Sequence, residues 1–183
     1  SLLMAIIMIF TMMPVTIFSL GADVSDLPVM EAYNAASSGD YHKYYNKVCT
    51  VTFLNSIDEA SMNASDTVDK WDVSEAKDGS VMAWMKKNAE NTSFYDVYIA
   101  GEGGIAANPN SSYIFYCFTA LKEVNGLENL KTDNVTNLNR LFEKCSSLEK
   151  LDMSSWNTSK VTTMAYMFSE CKVISEIDVS NWD

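Results

Sequence analysis

The stretch Ser154 to Asp178, SSWNTSKVTTMAYMFSECKVISEID, decides the reading of this chain, because its apolar pattern already occurs 26 residues earlier. At that offset Val135 falls on Val161, Leu138 on Met164, Leu141 on Met167, Phe142 on Phe168, Cys145 on Cys171, Leu148 on Ile174, Leu151 on Ile177 and Trp156 on Trp182. An older copy follows once Gly126 is counted as one inserted residue. Ile114, Phe115, Phe118, Leu121, Val124, Leu127 and Leu130 then match Leu141, Phe142, Cys145, Leu148, Leu151, Met153 and Trp156. Chance yields an isolated coincidence, not a whole register. Self-similarity at a period of roughly 20–50 residues is the signature of a solenoid, in which each unit buries its apolar side against the next.

Each unit divides into two halves. Leu148-Glu-Lys-Leu151-Asp-Met153 and Ile174-Ser-Glu-Ile177-Asp-Val179 read L-x-x-L-x-L, a strand with Leu151 and Met153 inward and Lys150, Asp152 and Ser154 outward. Val161-Thr-Thr-Met164-Ala-Tyr-Met167-Phe168 spaces its apolar residues at i, i+3, i+6 and i+7, which predicts a short helical return capped by Ser or Thr. The motif S-x-W-[ND]-T-S-x-V-T-x-M-x-x-M-F-x-x-C-x-x-[LI]-x-x-[LI]-D over Ser154 to Asp178 resembles the BspA-like family of bacterial surface leucine-rich-repeat proteins. The resemblance covers Ser111 to the end. The first copy departs from it, with Phe118 where later copies have cysteine. It implies a surface-displayed repeat protein with an adhesive role towards host matrix proteins and other cells.

The expected fold class is therefore α+β: a C-terminal leucine-rich-repeat-type solenoid of about three units over 111–183, capped by a mostly β flanking region over 23–110. Residues 1–22 carry no charge and are almost wholly apolar, with small residues at Ser19 and Gly21. They are expected to be a secretory signal peptide that starts inside its precursor. An uncleaved membrane anchor is the rival reading, since about 20 apolar residues span a bilayer. Asp183 falls just after a strand with no polar cap, so further copies are expected downstream.

Within the flanking region, Asp26 and Pro28 are expected to open a short helix reaching about Ala36. Cys49 to Phe53, Val68 to Val73, Val81 to Met85 and Tyr95 to Ala100 read as strands, although Val81, Trp84 and Met85 also fit a helical face. Asn55 to Asp66 reads as a loop.

The formal charge of −11 repels phosphate backbones, which argues against nucleic acid as a partner. A hydrophobic fraction of 48% argues for a folded chain. Gly101-Glu-Gly103-Gly104 lacks the third glycine of a dinucleotide loop and the lysine of a phosphate loop, and reads as a hairpin turn. His42 is the single histidine, in a Tyr-rich amphipathic run. A His-based zinc site is thereby excluded, and a catalytic triad would have to rest on this residue alone.

Cys49, Cys117, Cys145 and Cys171 contain no C-x-x-C pair, which argues against zinc. Cys145 and Cys171 stand at equivalent places on adjoining units, about 4.7–4.9 Å apart if the strands stack. A disulfide tolerates that separation, while a parallel ladder of buried thiols also fills the corner. Asp58, Glu59, Asp66, Asp69 and Asp72 could attract calcium but lack its loop signature, so a solvated loop is the expected reading. Neither cofactor nor metal is expected, and no enzyme activity.

Function is then expected to reside in a surface. The outward residues Glu123, Asn125, Lys150, Asp152, Ser154, Glu176, Asp178 and Ser180 form a polar face suited to an extracellular protein or glycan, on a host matrix or a neighbouring cell. The expected location is the exterior of a bacterial envelope, or the secreted fraction, with membrane contact only through the apolar leader if it is kept. The alternatives are a structural stalk, or a targeting region for an exported hydrolase beyond Asp183.

Overall fold

The computed structural model describes residues 23–33 and 41–183, so the apolar leader expected over 1–22 lies outside the described residues. In chain order the elements are β1 Val48–Leu54, α1 Glu59–Met62, β2 Thr67–Asp72, β3 Val81–Lys87, β4 Tyr95–Gly101, β5 Ile105–Ala106, β6 Glu123–Asn125, β7 Leu130–Lys131, β8 Lys150–Asp152 and β9 Glu176–Asp178. The main sheet is mixed, in the order β2-β3-β4-β1-β6. Its first three strands form an antiparallel meander, while β1 lies parallel to both β4 and β6. β1 lies inside the sheet, paired on both sides, and its Val48, Val51 and Phe53 are fully buried.

The ambiguous stretch from Val81 is a strand whose two faces are both covered. Val81, Ala83 and Met85 enter the main core, while Trp84 enters a smaller cluster with Met62 and Ala100. That second cluster explains α1, which falls inside the expected loop. Asp58 caps it through the Ser61 amide, and Trp84 Nε1 donates to Ser61 Oγ at 3.2 Å.

The expected α+β leucine-rich-repeat solenoid is not the fold observed. The protein is mostly β around the mixed five-stranded sheet, and α1, four residues long, is the α-helix among the described residues. The helical returns fail for a backbone reason. Leu138, Arg140, Phe142 and Lys144 donate their amides to the carbonyls of Thr163, Ala165, Met167 and Ser169 in the next copy, instead of to their own turn. The previous copy repeats this, with Tyr113, Phe115 and Cys117 donating to Asn139, Leu141 and Glu143. Two residues per copy also take left-handed backbone: Tyr113 and Cys117, Arg140 and Lys144, Tyr166 and Glu170, with φ between 57° and 65°. An α-helix accepts neither feature.

The offset of the apolar pattern does survive as a spatial register. β8 and β9 pair in parallel with Leu151 opposite Ile177. Phe142 stacks between Phe115, at 5.1 Å and 10°, and Phe168, at 5.9 Å and 5°. Trp156 Nε1 donates to Leu127 O and Trp182 Nε1 to Met153 O, which sets the two indoles in equivalent places. Leu148, Leu151, Met153 and Trp156 are buried, whereas Ile174, Ile177 and Trp182 are half-buried and Val179 is exposed.

The helix expected from Asp26 does not form over the described part. A 3-10 turn covers Val24–Asp26, after which Val29 bridges to Ala106 and Met30 to Ser74. Their extended backbone bonds the sheet edge, so the amides needed for a helix are already committed. The Gly101–Gly104 turn exists, but it joins β4 to β5, which pairs with β7. It is therefore no hairpin.

The cysteines are free thiols, and two repeat one arrangement. Cys145 Sγ lies 3.1 Å from Phe115 O and Cys171 Sγ 3.1 Å from Phe142 O. Burial pushes the Cys145 thiol far above its ordinary range. Since only the thiolate is nucleophilic, Cys145 is expected to resist iodoacetamide at mildly alkaline pH until the protein unfolds. The half-buried Cys117 should react in the native state. Peptide mass mapping after timed alkylation checks the order.

Candidate partner-binding face

The expected face assembles on the outward sides of β6, β8 and β9. In the β8–β9 pair, Lys150 stands opposite Glu176 and Asp152 opposite Asp178. β6 joins them one step earlier, with Glu149 N donating to Lys122 O at 3.0 Å. The alternation of the strands sends Val124 and Leu151 inward, where they are buried, and leaves the polar residues pointing out.

These side chains surround one concavity of about 310 Å³, lined by Glu123, Asn125, Lys150, Asp152, Glu176 and Asp178 over a floor of Val124 and Leu151. Two of the expected residues play another part. Ser154 donates its hydroxyl at 2.6 Å and its amide at 3.1 Å to Asp152 Oδ1, and the Ser180 amide donates to Asp178 Oδ1 at 2.9 Å. They orient the carboxylates from behind. Ser154 also lines a neighbouring depression of about 240 Å³ with Asn125, Gly126 and Glu128.

The concavity brings together four carboxylates and one ammonium. Lys150 stands between acidic neighbours in its column, a favourable sequence, but Asp152 directly opposite Asp178 places like charges across a strand pair. The Ser154 hydroxyl and amide hold the Asp152 carboxyl below its usual range, so it stays ionised at neutral pH. The face is thus polar and locally negative on a chain that is already acidic.

The other sequence candidates are dispersed. Asp58 caps α1, Glu59 accepts from Asn63, Asp66 pairs with Lys86, Asp69 with Lys43, and Asp72 accepts from Ser74 and Gly79. Among the described residues no group of three or more His, Cys, Asp or Glu is placed to hold a metal ion. His42 lies in the 3-10 turn Tyr41–Tyr44.

A second set of outward side chains went unnoticed in the sequence: Tyr113, Arg140 and Tyr166, at equivalent places in the three copies. Their shared register was the signal that could have found them. Reading the turn half of each copy as a helix hid it.

Residues 110–183 match a family described as "Mycoplasma protein of unknown function, DUF285". No curated protein and no solved structure matches the chain. The matched stretch holds β6 to β9, and with them the whole candidate face, and this family is associated with BspA-like surface repeat proteins.

Proposed function

We propose that this protein is a non-catalytic binding module of the bacterial cell exterior, which holds an extracellular protein or glycan against the outward side chains of β6, β8 and β9. One observation carries the reading: outward residues from three successive copies stand in register around a single concavity. A face made by repetition is broad and needs no buried reactive group, which suits adhesion. The Asp152–Asp178 opposition supports it as well. Natural folds break a local rule chiefly where function requires it, and replacing either carboxylate with a neutral amide would relieve the repulsion.

Binding of the purified chain to a panel of immobilised matrix glycoproteins tests the proposal. The double variant Asp152→Lys, Asp178→Lys should lose about tenfold or more in affinity, and the residual binding should lose its dependence on salt. Both residues are exposed, so the variant should keep its fold. Unchanged binding by the double variant would rule this face out as the contact.

A further inference from the structure

Four segments of the flanking region converge on one concavity of about 410 Å³, which shares no lining residue with the strand face. The 3-10 turn brings Asp26, with Leu27 and Pro28 after it, and Ile57 comes from the connection between β1 and α1. The β2–β3 turn adds Asp78 to Ser80, and the β4–β5 turn adds Glu102. Hydrogen bonds tie these segments together. Ala106 N donates to Pro28 O at 2.9 Å, Ile57 N to Glu102 Oε1 at 2.9 Å, and Gly103 N to Asn55 O at 2.8 Å. Pro28 packs closely because residue 101 is glycine: a Cβ there would lie 2.8 Å from Pro28 Cγ.

The lining divides by chemistry. Leu27 is buried and Pro28 and Ile57 are half-buried, which gives an apolar floor, while Asp26, Asp78 and Glu102 stand exposed around it. Among the described residues no lysine or arginine lines the concavity, and none of these three carboxylates belongs to an ion pair. The Ser80 hydroxyl and amide hold the Asp78 carboxyl below its usual range, so it is ionised at neutral pH. No three acidic groups among the described residues are placed to hold a metal ion. The negative charge is thus spread along a rim rather than focused on one point.

We infer that this concavity docks an arginine-bearing segment of a partner protein, its guanidinium laid on Leu27, Pro28 and Ile57 and bonded at its edge to Asp26, Asp78 and Glu102. A guanidinium is planar and weakly hydrated, so its faces rest on apolar surface while its N–H groups fork towards carboxylates. The methylene stem of the side chain covers the rest of the floor. A lysine ammonium is a strongly hydrated point charge, and it would lose that hydration over the same floor. The net charge of −11 draws cationic partners from a distance, and the apolar floor then selects among them. The site does not depend on the strand-face proposal.

Calorimetric titration of the full chain with the peptide acetyl-Ala-Arg-Ala-Arg-Ala-amide tests it, beside counterparts carrying lysine or neutral citrulline in place of arginine. The arginine peptide should bind with a Kd of about 1 mM or tighter. The lysine peptide should be weaker by about fivefold or more, and the citrulline peptide should not bind. That order is read on the parent chain and needs no variant. The double variant Asp26→Asn, Glu102→Gln should weaken the arginine peptide by about tenfold. Asp152→Asn, Asp178→Asn removes the same charge from the strand face and should change it by less than about twofold. Both pairs preserve side-chain size at exposed positions, and thermal unfolding checks that each variant is folded. The inference is overturned if the arginine peptide does not bind, if lysine matches arginine, or if the two double variants lose affinity equally. Loss confined to the strand-face variant overturns it as well, since the peptide would then sit on that face.

Discussion

Replacing Phe142 with alanine is expected to destabilise the protein by about 3–5 kcal/mol. The ring is fully buried and sandwiched in parallel between Phe115 and Phe168, so its removal leaves a void between two planar neighbours. Those neighbours are tied to backbone that is hydrogen-bonded from copy to copy, and they cannot close the gap without breaking that ladder. Phe168→Ala provides the contrast. Phe168 is half-buried and stacked on one face only, so its loss should cost less than half as much. Urea unfolding of the two variants, with slopes matching the parent, checks the order. Equal losses would mean that the stack is not what carries the energy.

The second large effect is expected at Gly126, the residue that breaks the register between the first two copies. Its φ is +70°, and a Cβ built there would lie 2.1 Å from Phe53 O and 3.1 Å from Phe53 C. Phe53 belongs to β1, an interior strand paired on both sides, and the same carbonyl accepts from Asn129 Nδ2 at 3.1 Å. Gly126→Ala therefore adds left-handed strain to a clash with backbone that has nowhere to move, and about 3 kcal/mol or more of stability should be lost. Gly79→Ala is the internal control. Gly79 has a similar φ of +77° but open space around its Cβ position, so its substitution should cost about 1 kcal/mol, the conformational part alone. Thermal or urea unfolding of both separates crowding from conformation.

How much of this could be read from the residues differs from one feature to the next. The register was legible because apolar side chains that stack must recur at a fixed offset, and Leu151 does lie opposite Ile177. The outward face was legible from strand alternation, which places Asp152 and Asp178 on the side away from the core. The helical returns differ from expectation because Val161, Met164, Met167 and Phe168 have helical spacing, yet Val161 and Met167 donate only three residues back, to Thr158 and Met164, and at the equivalent places one copy earlier Leu138, Arg140 and Phe142 donate to the adjoining copy. Nothing in the side chains announces this. Tyr113, Arg140 and Tyr166 do not look like left-handed residues, and glycines there would have betrayed the turns. The order of the five-stranded sheet was beyond reach for another reason. Pairing β1 with β4 and β6 brings together segments far apart in sequence, and local periodicity carries no information about which strands become neighbours. Helix α1 left a fainter signal, Asp58 three residues before Ser61, too short to outweigh an acidic polar stretch.

The amide ladder between copies has a consequence for the gene. The junction between the second and third copies sets donors against acceptors at an offset of 26 residues, as between Thr162 and Thr136 and between Lys160 and Asn134, and the junction before it does so at 27, as between Thr136 and Pro109. A misaligned crossover that drops or adds one whole unit rejoins edges that already fit. Strains of the source organism should accordingly differ within this stretch by whole units more often than by arbitrary lengths.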